Sequence, residues 1–407
     1  MRVGTPGFVG VRLREAREAR GLTLVALHDL VGVSAQSLSQ YEAGRSSPSP
    51  HVLERISVAV NMPEHFFLLP ERETRPSTIF ARSMSSATKT ARTRAERRFE
   101  WLRDVASYLS EFVAFPTPNF PDLGLPDDPL LLSDDEIEEA ADAARRHWGM
   151  RDDPIANMVL LLENNGAIIA RDKLGAETLD GLSEFVVEDG RPYIIVGTDK
   201  GSPVRWRFDA AHELGHMVLH ANVAPEQLLR PETFKRIEEQ AHRFAAAFLL
   251  PLASFGDDLS AVNLDAFRAL KAKWKVSISA MIIRARHAGF LSEQTERSLW
   301  VNYSRRGWRR IEPYDETMQP EEPRLLRRAF DLVLSEGAQT PEDVLSRVAL
   351  HANDVEALCG LPNGYLANFS PVSLLSSHRV PERQERPEDD AATPGQVIQL
   401  PVRRRTS

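Results

Sequence analysis

The chain has 407 residues, 42% hydrophobic and 27% charged, with a net charge of -8, the balance of an ordinary globular protein of two or three domains rather than a fibrous or membrane one. Its longest apolar runs, such as Met158 to Leu162 and Ala245 to Leu252, are too short to cross a bilayer, and the N-terminus lacks the apolar stretch of a secretory signal, so a cytoplasmic location with no membrane partner is expected. The single cysteine, Cys359, excludes an internal disulfide and a cysteine-based zinc knuckle; any metal must be held by histidines and carboxylates.

In chain order, residues 8–70 read as a bundle of short helices punctuated by Gly21, Gly32, Gly44, Pro48, Pro50 and Pro63. Within it, a helix from Leu24 to Val31 stops at Gly32, and Ser34 is placed to cap the next helix, which is helix-turn-helix spacing. Leu27, Leu30, Val33 and Leu38 are expected to pack between the two helices. That leaves Ala35, Gln36, Ser37 and Gln40 facing outward, where Gln can pair in bidentate fashion with adenine and small residues permit close approach to a base edge.

Gly21-Leu22-Thr23, Val33-Ser34 and Tyr41-Glu42-Ala43-Gly44 make this segment resemble the lambda-repressor-like (XRE) family of helix-turn-helix proteins. The resemblance implies base contacts by Ala35, Gln36 and Gln40 and phosphate contacts near Thr23, Ser34 and Arg45. Leu24 stands where the family often has Gln. Double-stranded operator DNA is the implied partner, bound by a homodimer because such proteins commonly need two half-sites.

Residues 71–130 read as a basic segment, a helix from Ala91 to Phe112 and a Pro-rich linker. Between Arg72 and Arg103 there are nine Lys or Arg and three Glu, so the overall negative charge hides a basic zone that could reinforce phosphate attraction. Helices are expected from Asp134 to Trp148 and from Ile155 to Asn164. GAIIAR and EFVVEDGRPYIIV then alternate as strands, with a turn at Asp189-Gly190. Helical patterns follow from Arg205 to His220, Pro231 to Leu250 and Asn263 to Ala288.

RFDAAHELGHMVLH places His212 and His216 four apart, on one face of a helix and close enough to share a metal ion. Glu213 beside them can take a proton from a water that zinc acidifies, which supplies a nucleophile for peptide hydrolysis. RIEEQAHRFAAAFLLP offers a third ligand. Ala241, Ala245 and Leu249 follow Glu238 down one helical face, small enough to let the two helices lie close, so Glu238 is favoured, with Glu239 the alternative. His220 is rotated away from His212 on an ideal helix and is expected at the helix end. The later Gly and His of the metzincin pattern are absent.

Together these two segments resemble the ImmA/IrrE metallopeptidase-like family over Asp153 to Ala288. The resemblance implies a gluzincin-like core with Zn2+ held by His212, His216 and Glu238, and with Glu213 as general base. Family members described as proteases act on helix-turn-helix repressors. Gln240 and His242 stand where the family often has an acidic residue and Asn; His242, Tyr193 and His287 are candidates for stabilising an oxyanion. Cys359 reads as a core residue, and Trp300, Tyr303 and Trp308 with Arg305, Arg306, Arg309 and Arg310 as packing with solvated arginines, or as a site for an acidic ligand.

The expected protein is multidomain and mainly α with a small β-sheet. It has a helix-turn-helix domain (8–70), a zinc metallopeptidase domain (131–290), a helical C-terminal domain (291–370) and a disordered tail (371–407). Its expected function is transcriptional regulation with cleavage of a helix-turn-helix repressor or of itself. The rivals are a non-hydrolytic regulator that uses the zinc-site fold as a sensor, and an antitoxin-like repressor.

Overall fold

Short polar side chains decide where many of the helices begin. In the computed structural model, Thr23, Ser34, Ser133, Asn157, Asn263, Ser277, Ser292 and Thr340 each accept a hydrogen bond from a first-turn backbone N–H, satisfying donors that have no partner within the helix. The structure describes residues 4–72, 79–81, 88–175, 181–186, 190–198 and 202–369. The tail expected from 371, Asp189 of the expected turn and parts of the basic zone lie outside them.

The elements run α1 (Gly10–Ala19), α2 (Leu24–Val31), α3 (Ala35–Glu42), α4 (Pro50–Val60), β1 (Ile79–Ala81), α5 (Lys89–Ser110), α6 (Asp134–His147) and α7 (Met158–Asn164). Next come β2 (Ile168–Asp172), β3 (Gly181–Val186), β4 (Arg191–Gly197), α8 (Pro203–Leu219), α9 (Pro225–Leu228) and α10 (Pro231–Leu249). The last are α11 (Leu252–Asp258), α12 (Leu264–Trp274), α13 (Ile278–His287), α14 (Glu293–Arg305), α15 (Leu325–Ser335), α16 (Pro341–Val348) and α17 (Ala352–Cys359). The protein is therefore multidomain and mainly α. No described helix is long and apolar enough to cross a membrane.

The chain divides into two compact units, one of residues 1–72, 96–116 and 324 onward, the other of 73–95 and 117–323. In the first unit α1 to α4 bury Leu13, Ala16, Leu27, Val31, Leu38, Leu53, Ile56 and Val60. Arg17 grips Glu42 through two hydrogen bonds of 2.6 and 3.0 Å, tying α1 to α3. Leu30 departs from its expected packing role: it is 59% exposed, because the inward line of α2 runs through Leu27 and Val31, four apart, and Leu30 falls off it. Val33 is half-buried. The helices after residue 324 belong to this unit. Arg20, at the C-terminal cap of α1 (2.7 and 2.6 Å), and Arg98 of α5 (3.0 Å) converge on the buried Asp354 of α17. Trp101 Nε1 donates to Glu15 at 2.9 Å. Cys359 is buried here and burial pushes its thiol well up, as suits a core residue.

The second unit holds a four-stranded sheet in the order β1-β3-β4-β2. β3 and β4 are antiparallel, pairing Gly181 with Val196 and Val186 with Arg191, while β2 runs parallel to β4 and β1 antiparallel to β3. β1 lies in the segment read from sequence as basic, with no strand expected; three residues are too few for alternation to show, and the strand exists through its pairing with β3. The sheet packs on α8, which packs in turn on α10. A Cβ on Gly215 would stand 3.1 Å from Ala241 Cα and 3.2 Å from the Phe244 ring, so the close helix approach depends on small residues at both positions. The helical pattern over Asn263 to Ala288 is broken into α12 and α13. Lys275 takes a left-handed φ of 55°, and Ser277 caps the new helix.

The segment after α14 stays with this unit, so the C-terminal domain expected over 291–370 is shared between the two units. Glu312 accepts from Ile278 N (2.7 Å), Ser279 N (3.0 Å), Lys271 Nζ (2.7 Å) and the Tyr303 hydroxyl (2.8 Å) at the N-terminus of α13. Glu321 does the same at the N-terminus of α7, accepting from Met158 N (2.6 Å) and Val159 N (3.2 Å), and from Arg207.

Candidate metal centre

One turn of α8 and one turn of α10 supply the whole donor set. His212 and His216 are fully buried, four residues apart, and their Nε2 atoms stand 3.1 Å from each other. Glu238 reaches them from α10, with Oε2 3.3 Å from His212 Nε2 and Oε1 3.4 Å from His216 Nε2. Two nitrogens and a carboxylate oxygen bonded to one tetrahedral zinc stand roughly 3.3 Å apart, so this spacing fits the ion. Burial, first, lowers the His212 pKa well below the usual range, leaving a neutral imidazole of the kind a metal needs. Burial would raise Glu238, but its close contacts with the His212 and His216 imidazoles outweigh it and hold the carboxyl far below its ordinary range. Glu239, the alternative ligand, lies 53% exposed beside Lys235, whereas the Glu238 side chain is 18% exposed.

Glu213 is buried next to the two histidines, and Ser183 Oγ of β3 donates a hydrogen bond to its Oε2. Gly181, two residues before, lets the strand come this near: a Cβ there would be 2.9 Å from Glu213 Oε1. Nothing in the sequence around Ser183 marks it, because the contact spans thirty residues and depends on strand register. His220 ends α8, and its ring turns to His216 and Gln240 rather than to the donor cluster. Burial, with the neighbouring His216, pushes His220 down to about 3.

A cleft of about 1190 Å³ opens on this site, lined by Phe208, Glu238, His242, His287, Trp308 and Arg310 among others. His242 sits at its wall with its ring 4.9 Å from that of His212 and 5.4 Å from Phe208. Tyr193 is instead buried in β4. The Trp308 and arginine cluster thus borders the cleft, although Arg306 is engaged with Asp265 at 2.7 Å and with the Trp308 ring.

The nucleic-acid candidates are arranged differently. Thr23 Oγ1 accepts from Ala26 N and Ser34 Oγ from Ser37 N, each at 3.1 Å. Gln36 and Gln40, four apart on α3, are exposed, as is Arg45; Ala35 is half-buried.

Comparison with known proteins agrees with both halves. Residues 9–65 match the family described as "Helix-turn-helix domain", and residues 163–286 the one described as "IrrE N-terminal-like domain". The chain joins a helix-turn-helix domain to an IrrE N-terminal-like domain. Over 70 residues it is 34% identical to the HTH-type transcriptional regulator SutR of Escherichia coli (strain K12), a stretch that makes up 17% of this chain and 39% of that protein. The IrrE N-terminal-like match takes in β2 to β4, α8 and α10, and so the whole donor set, but ends before Trp308 and Arg310 at the cleft.

Proposed function

We propose that this chain is a DNA-binding transcriptional regulator whose second unit is a zinc-dependent endopeptidase, cleaving a helix-turn-helix repressor or the chain itself to relieve repression. The observation that carries the reading is the meeting of His212, His216 and Glu238 on adjoining helix turns with Glu213 held beside them.

His212 and His216 through Nε2, with a Glu238 oxygen, would hold the ion. Bound there, zinc supplies Lewis-acid polarisation and a solvent molecule of lowered pKa. Glu213 would take a proton from the attacking solvent and deliver it to the leaving amine, and Ser183, by donating to Oε2, fixes the carboxylate's orientation. His242, which lines the cleft, would donate to a substrate oxygen. Extended peptides bind by pairing with a sheet edge. The backbone of Ile79–Ala81 already pairs antiparallel with β3, the strand carrying Ser183, which supports cleavage in cis as one mode of action.

In the first unit, Gln36 and Gln40 on the exposed face of α3 read base edges, and Thr23, Ser34 and Arg45 take phosphates, with a homodimer spanning two half-sites. Similarity to SutR, a transcriptional regulator by name, supports this part. The burial of Glu213 is the observation that favours the rival, a sensor that binds zinc without hydrolysis.

The test is zinc content together with proteolysis of helix-turn-helix repressors and of the chain itself, wild type against Glu213→Gln at matched zinc loading. Equal zinc in both proteins with cleavage only by the wild type is expected. Cleavage retained in full by Glu213→Gln would remove the chemical basis of the proposal, and zinc and operator binding without cleavage in either would favour the sensor.

A further inference from the structure

Gln240 of α10 is fully buried, and its amide lies between groups of opposite demand. On one side are the backbone carbonyls of Pro129, at 2.6 Å, and Leu132, at 3.4 Å. Carbonyls only accept, so the amide nitrogen faces them and the amide oxygen faces His220 Nε2, at 2.9 Å. That oxygen also only accepts, so His220 carries its proton on Nε2. His220 Nδ1 is then a bare acceptor, 3.1 Å from His216 Nδ1, which must be the protonated nitrogen of its ring. A neutral imidazole has one N–H. Read inward from two backbone carbonyls, the chain of hydrogen bonds leaves Nε2 as the unprotonated nitrogen of His216, facing His212 Nε2 and Glu238.

We propose that His220 and Gln240 are positioning residues that hold His216 in the tautomer and orientation which binds zinc through Nε2. The proposal rests on the zinc-site reading above. The three histidines of HELGHMVLH share a four-residue spacing but not a role: the third is a partner of a ligand rather than a ligand. His216, His220 and Gln240 are all fully buried, so the order of protons is set by protein groups. His212 differs, since its buried Nδ1 has no hydrogen-bond partner among the described residues. The fixed half of the donor pair is therefore His216. Outer partners of this kind are worth about 10–100-fold in metal affinity.

The test is Zn2+ affinity of the full chain, measured by competition with a chromophoric chelator, with Co2+ spectra as a readout of ligand geometry. His220→Leu fills the space but removes the acceptor, and His220→Asn keeps an oxygen where Nδ1 stood. Expected is a loss of about 10–100-fold for His220→Leu, an altered Co2+ spectrum, and recovery of most of the affinity in His220→Asn. Thermal melting of the metal-free proteins checks folding, and Gln240→Met, expected to act like His220→Leu, replaces it if that variant does not fold. Wild-type affinity in His220→Leu, or no recovery in a folded His220→Asn, overturns the relay while leaving the zinc site standing. Failure of the wild type itself to bind Zn2+ sinks the zinc-site reading, and the relay with it.

Discussion

The helix-turn-helix and the candidate metal centre are each built on two neighbouring helices, yet they treat polar groups in opposite ways. On α2 and α3, Thr23, Ser34, Gln36 and Gln40 face solvent, and the first two bond only within their own helix turns. Around α8 and α10, His212, His216, His220 and Gln240 are wholly buried and bond to one another and onward to the distant carbonyl of Pro129. A surface that reads a partner needs its donors free, and local capping is enough to hold its frame. A site that holds an ion needs donors whose direction is already set, which takes a buried network.

The largest test of that contrast is Glu213→Gln, which keeps the buried frame and removes the base. Single-turnover cleavage should fall by about 10²–10⁴-fold with zinc content unchanged. Within the first unit, Asp354→Ala takes the counter-charge from buried Arg98 and should cost about 3–5 kcal/mol in urea unfolding. Burial pushes the Asp354 carboxyl up, but Arg20 and Arg98 overcome this and hold it below its ordinary value. Its contribution is therefore complete above the unfolded value near ~4 and disappears as pH falls through the lower folded value, so acid titration should destabilise the wild type more steeply than Asp354→Ala.

Glu238→Ala should weaken zinc binding by more than the roughly 100-fold upper end for outer partners, while Glu239→Ala should leave it unchanged; equal losses would erase the distinction between a buried and an exposed carboxylate on neighbouring positions. The smallest effects belong to the exposed helix. Gln36→Ala and Gln40→Ala should each cost about 1–3 kcal/mol at one base position in operator titrations, whereas Arg45→Ala should weaken all sequences alike and reduce the salt slope by about 1.

The same contrast explains what could be read in advance. Gly32, Ser34 and the HELGH spacing act within a turn or two, so the sequence shows the helix boundaries and the histidine pair directly. Glu238 was reachable because α10 follows soon and its small residues mark a close face. Ser183 and the carbonyl of Pro129 were not, since each arrives from a distant element whose register only the assembled fold sets. Leu30 shows the finer limit: on an eight-residue helix, one apolar residue can miss the buried line without disturbing the pattern. The break at Lys275 was also hidden, because apolar periodicity resumes in α13, although Ser277 was there to be read as a cap.

Glu312 and Glu321 give the second unit an edge that lies beyond the segment matching the IrrE N-terminal-like domain. A chain truncated after residue 286, where the IrrE N-terminal-like match ends, would keep every candidate zinc ligand. It would also strip the first N–H groups of α7 and α13 of their acceptors and leave Lys271 and Arg207 buried without a counter-ion. The smallest independently folding fragment of the second unit should therefore run past residue 321, so that the homologous segment and the self-sufficient segment are different lengths of the same polypeptide.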